Sequence, residues 1–124
     1  MLAIMGSPEL YNLVVDQDST FRLNITWTNP DSTPINLTGA RVLLQIRTVQ
    51  ERLLVSFDSA SLTSGQHLGA LNSTGVINIT LDDEVTKTLP AEPAVWDILV
   101  DLAGVRDKLL FGNVSIRSTV TRIE

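Results

Sequence analysis

Phe21, Leu23, Ile25 and Trp27 alternate with Arg22, Asn24, Thr26 and Thr28. Alternation with a period of two marks a strand with one buried face. The same period recurs along the chain. Val42, Leu44 and Ile46 share a face within 41–48, and Leu53, Val55 and Phe57 within 53–57. Gln50-Glu51 between these two runs predicts a hairpin. Ile77, Ile79 and Leu81 define another strand, and Trp96, Ile98, Val100 and Leu102 the next, with Asp97 and Asp101 on its opposite face. A last strand is expected from about Lys108 to Ile116, where Gly112 marks a bulge or a close backbone approach. Residues 11–15 add a first strand. Asp82-Asp83-Glu84-Val85-Thr86-Lys87-Thr88-Leu89 is the one helical candidate. Its acidic first turn suits the positive end of a helix dipole, and Pro90 stops it. Val85 and Leu89 are expected to hold it by packing.

The prediction is an all-β fold, an immunoglobulin-like antiparallel β-sandwich of about six or seven strands with one short helix. A small barrel is the rival. Residues 1–9 read as an N-terminal arm and residues 10–124 as a single sandwich domain. Residues 59–74 are rich in Ser, Thr, Gly and Asn and read as a long loop, a candidate contact surface.

Composition narrows the function classes. At 124 residues the chain has the size of one domain. With 44% hydrophobic and 19% charged residues it is too apolar for a disordered chain. No uncharged apolar run approaches the roughly 18 residues of a spanning helix, so no membrane role is expected. The formal charge of -5 argues against nucleic acid as a partner. The start, Met1-Leu2-Ala3-Ile4-Met5, lacks the basic region of a signal peptide. The Asn-x-Ser/Thr triplets at Asn24, Asn36, Asn72, Asn78 and Asn113 then follow from polar strand and turn positions, not from glycan attachment.

No catalytic set stands out. There is no cysteine, which removes thiolate chemistry and thiolate metal sites. The single histidine, His67, lies in a Gly/Ser-rich stretch and reads as a solvated loop residue. Asp97 and Asp101 are four residues apart on a strand, roughly 13 Å, too far for a glycosidase pair. Asp82-Asp83-Glu84 lacks the alternating ligand spacing of a calcium loop. No enzyme activity, cofactor or metal is expected.

Pro34-Ile35-Asn36-Leu37-Thr38-Gly39 has a rationale of its own. Pro34 fixes φ, Asn36 suits an Asx-turn, Ile35 and Leu37 plug the end of the sandwich, and Gly39 permits positive φ. It is one of an ordered series: Asp16-Gln17-Asp18-Ser19-Thr20-Phe21 before the first alternating strand, then this turn, then Leu44-Gln45-Ile46-Arg47. Gly75-Val76-Ile77, Leu89-Pro90, Trp96-Asp97-Ile98, Leu109-Leu110-Phe111-Gly112-Asn113-Val114 and Val120-Thr121-Arg122 complete it. In this order the chain resembles small β-sandwich structural proteins of tailed bacteriophages, found as tail, baseplate or fibre-attachment components. Ser19 and Asn36 depart from the commoner residues of that pattern, and residues 59–74 fit no part of it.

The resemblance implies a non-enzymatic virion protein, made in the host cytoplasm, that attaches neighbouring subunits or fibres. Its partners would be other phage structural proteins, in a symmetric homo-oligomer. A capsid decoration (cement) protein is the alternative. A carbohydrate- or receptor-binding module is a further one, although aromatic residues are only 5% and both tryptophans sit in core register. The expected contact residues are Met1, Leu2, Ile4 and Met5 of the arm, Tyr11, and Gln66, His67 and Leu68 of the loop.

Overall fold

A computed structural model of the chain describes residues 2–5 and 8–120. Its elements are β1 (Leu2–Met5), β2 (Glu9–Leu10), β3 (Leu13–Asp16), β4 (Phe21–Thr28), β5 (Arg41–Thr48), β6 (Leu53–Asp58), β7 (Gln66–Leu68), β8 (Val76–Leu81), α1 (Asp83–Thr86), β9 (Ala94–Leu102) and β10 (Val105–Arg117). Two sheets face each other. One has the order β1-β4-β8-β7; the other runs β2-β10-β9-β5-β6, with β3 following β2 along the free side of β10. The protein is an all-β sandwich, and β4 to β10 reproduce the inner order of an immunoglobulin-like domain.

The alternation read from sequence becomes the core. Leu23, Ile25 and Trp27 of β4 and Ile77, Ile79 and Leu81 of β8 meet Val42, Leu44, Ile46, Trp96, Ile98 and Val100 from β5 and β9. Leu37 plugs one end and Leu89 sits under the helical turn, both fully buried. The 34–39 corner takes its expected form. Asn36 Oδ1 accepts from the Thr38 amide at 3.0 Å and from the Thr38 hydroxyl at 2.7 Å, and Gly39 has φ +80°.

Three features depart from the sequence expectation. First, the described residues form ten strands, because β1, β2 and β7 are short additions. The 59–74 segment is therefore interrupted by β7, which pairs with β8. Second, the sheets are not wholly antiparallel. β1 runs parallel to β4, and β2 and β3 run parallel to β10. Periodicity identifies a strand but not the direction of its partner. Third, the final strand begins at Val105, directly after the two-residue turn Ala103-Gly104. Its register shifts between Lys108 and Leu110, and this bulge turns Leu109 and Leu110 both into the core. Gly112 serves the other purpose anticipated for it, a close backbone approach.

Candidate interaction site

The N-terminal segment closes one flank of the sandwich. Within the stretch read as an N-terminal arm, Leu2–Met5 form β1 in one sheet and Glu9 begins β2 in the other. Leu13 and Val15 of β3 are buried, and Val14 between them faces solvent. The segment is fastened at Tyr11. Its amide donates to the Phe111 carbonyl at 2.8 Å, and its carbonyl accepts from Trp96 Nε1 at 2.8 Å. Asn12 Oδ1 accepts from the Asn113 amide at 3.0 Å. A Cβ at Gly112 would overlap the Tyr11 carbonyl oxygen and lie 2.9 Å from Asn12 Oδ1. Only glycine lets the two backbones come this close.

This fastening gathers apolar side chains on the outer face of the six-stranded sheet. Leu10 pairs with Phe111, Phe111 with Asp97, Asp97 with Gln45, and Gln45 with Ser56, a row across the sheet. Val95 lies in the neighbouring row, between Asn113 and Arg47. Leu10 is 65% exposed, Val14 52%, Phe111 39% and Val95 38%. Beside Val95 is a hollow of about 140 Å³ lined by Gln45, Arg47, Val95, Trp96 and Asp97. Arg47 is held there by neutral groups: Nε and Nη2 donate to Gln45 Oε1, and Nη1 donates to the Glu51 carbonyl. The surface thus offers apolar contact beside a fixed guanidinium, a suitable combination for a protein partner.

Charged pairs border this face. Asp97 and Asp101 meet Lys108 and Arg106 at 3.5 and 3.2 Å. Arg117 grips Asp16, and Arg41 grips Asp58 through two hydrogen bonds of 2.9 and 2.5 Å. Together with the Ala60 amide, Arg41 holds the Asp58 carboxyl at about 2, below the usual carboxylate range. The Arg117 hydrogen bond lowers Asp16 in the same way. These are exposed pairs, each of little weight for stability.

The residues expected from sequence fall in separate places. Met1 lies outside the described residues. Leu2, Ile4 and Met5 lie on β1, on the sheet opposite the apolar face. Tyr11 is partly exposed at the fastened flank. Gln66, His67 and Leu68 form β7, at the far edge of the β1 sheet. Gln66 is not a surface residue: it is 8% exposed, donates to the Ser56 carbonyl at 3.0 Å and accepts from the Thr63 amide at 3.1 Å. His67 is not a plain loop residue either. Its Nε2 is 2.9 Å from Asp82 Oδ2 at the start of α1. Leu68 is half-buried against the core.

Leu10, Val14, Val95 and Phe111 were not singled out by sequence reasoning. Val14, Val95 and Phe111 stand next to buried residues in sequence, and Leu10 and Val14 reach this face only through the parallel pairing of β2 and β3 with β10. Among the described residues, no group of three His, Asp or Glu side chains is placed to hold a metal ion. No family model matches the chain, and no curated protein matches it in sequence.

Proposed function

We propose that the chain is a non-enzymatic structural subunit of a tailed-phage virion, an interaction module of the tail or baseplate that attaches neighbouring subunits or fibres. The observation that carries this reading is the exposed apolar group of Leu10, Val14, Val95 and Phe111 on a rigid sheet face. Exposed apolar side chains on one sheet face beside a neutral-held arginine favour a protein neighbour. The ordered motif series from Asp16 to Arg122 supplies the phage context. The ionisable side chains support the same reading. His67, Asp82 and the paired aspartates have structural partners at the surface, an arrangement suited to holding shape.

The test is imaging and mass spectrometry of purified particles from the phage that encodes the chain. The domain is expected at the tail tip or fibre root. A Leu10→Ser/Phe111→Ser variant, folded by circular dichroism, is expected to be lost from the particle. Density on the head lattice would replace the tail assignment with a cement role. Absence of the unmodified chain from the particle would overturn the structural reading.

A further inference from the structure

We propose that the hollow beside Arg47 receives the carboxylate of an aspartate or glutamate side chain from a protein neighbour, on a segment whose apolar residues cover Val95 and Phe111. The inference names the chemistry of the partner and rests on the reading of this face as a protein-binding surface.

Three observations carry it. The first is charge. Around this face Arg41, Arg106, Lys108 and Arg117 each have a carboxylate, from Asp58, Asp101, Asp97 and Asp16. Among the described residues Arg47 has none: its hydrogen bonds go to neutral oxygens, Gln45 Oε1 and the Glu51 carbonyl. Asp97 also lines the hollow, but Lys108 Nζ answers it at 3.5 Å. The charge of Arg47 is therefore left over, on a chain whose formal charge is -5. Arg22 and Lys87 also lack a carboxylate among the described residues, yet both are exposed and solvated, whereas Arg47 is half-buried. A cation partly withdrawn from water gains most from a counter-charge.

The second observation is readiness. A guanidinium carries five N–H bonds in a rigid fork. Three of them are used here, which leaves one on each terminal nitrogen. The side chain is already fixed, so little freedom is lost when a carboxylate arrives. The third is shape. The hollow has a volume of about 140 Å³ between Arg47 and walls that include Val95 and Trp96. A space of about 150 Å³ holds a group the size of benzene, so an acidic side chain fits. Val95 is the register partner of Arg47, and Phe111 stands two strands away in the row of Asp97 and Gln45. At about 4.8 Å between strands and about 3.3 Å per residue, the Phe111 and Arg47 backbones are roughly 12 Å apart. Four residues of extended chain span about 13 Å. A segment with an apolar residue about four positions from an acidic one reaches both.

The probe is a display library of random peptides about twelve residues long, panned on the purified chain. The expected binders carry Asp or Glu about four positions from a large apolar residue. In a synthetic copy of such a binder, replacing the acid by its amide should weaken binding to the wild type at least tenfold. That arm needs no variant of the protein. The same replacement should leave binding to Arg47→Gln unchanged, with the variant's fold checked by circular dichroism. Phe111→Ser should weaken both peptides. Binders without an acidic preference, a library that yields none, or an amide replacement that costs the wild type and Arg47→Gln alike would each overturn the proposal. A dimer of the unmodified chain in native mass spectrometry that Arg47→Gln abolishes would give the carboxylate to a second copy and overturn it too. Binders that depend on Phe111 but show no acidic preference would sink this inference and leave the protein-binding face standing. No particle enters these measurements, so their failure is also distinct from absence of the chain from the virion.

Discussion

Thr86 is a fully buried polar residue in the one helical turn, and its hydroxyl joins two distant parts of the chain. Oγ1 donates to the Ser19 carbonyl at 2.8 Å and accepts from the Ser19 amide at 3.2 Å. It thereby clamps the β3–β4 turn onto α1. Thr86→Val keeps the shape and removes both bonds. At about 1 kcal/mol for each net hydrogen bond, the loss is about 2 kcal/mol. A domain of this length unfolds with an entropy of roughly 0.26 kcal/mol/K, from about 2.1 cal/mol/K per residue. The expected fall in Tm is therefore about 8 °C. Thr86→Ser keeps the hydroxyl and deletes one buried methyl, a cost of about 1 kcal/mol or about 4 °C. Thermal and urea unfolding followed by far-UV circular dichroism measures both. If Thr86→Val melts with the wild type, or Thr86→Ser falls further than Thr86→Val, the hydroxyl is not the clamp and the reasoning fails.

Gly112→Ala should cost about 1–3 kcal/mol through overlap with the Tyr11 backbone, and proteolysis should show residues 8–16 cleaved faster than the rest of the chain. Trp96→Phe keeps an aromatic ring but removes the donor to the Tyr11 carbonyl and part of a buried indole, so stability in urea should drop by about 2–4 kcal/mol. Asp58 and Asp16 bind protons more weakly folded than unfolded, because Arg41 and Arg117 bond their ionised forms. Their contribution is complete above the ordinary carboxylate value of 3.8 and is lost as pH falls, for Asp58 through about 2. Tm measured from pH 5 to pH 2 should decline most steeply below about 4, and Asp58→Asn should flatten that decline; an unchanged slope would remove Asp58 from the account.

What was legible in the sequence is what is local. Alternating positions at 21–28, 41–48 and 94–102 located strands because the side-chain period of a strand is written in consecutive residues. The Asn36 turn was legible because its bonds reach only to Thr38. Thr86 was not, since nothing near it announces a partner 67 residues away. Gln66 resembled a polar loop residue, and its burial depends on Ser56 across a strand it does not pair with. The apolar face was hidden for the same reason. Val14 stands between two core residues, and its outward aspect becomes a surface only once β3 lies against β10.

The pairing of β3 with β10 also sets the order in which the molecule is built. Asp16 and Arg117 are 101 positions apart, and their ladder closes almost the whole chain into one loop. Contacts of such long range form late, because closure entropy is lost before they stabilise anything. Residues 9–16 leave the ribosome about a hundred residues before their partners at 110–117. Until then Leu13 and Val15 have no sheet, and the indole of Trp96 lacks its acceptor at Tyr11. The strands from β4 to β9 must therefore assemble with an open flank, and exposure to unwanted strand pairing is greatest before β10 has been made.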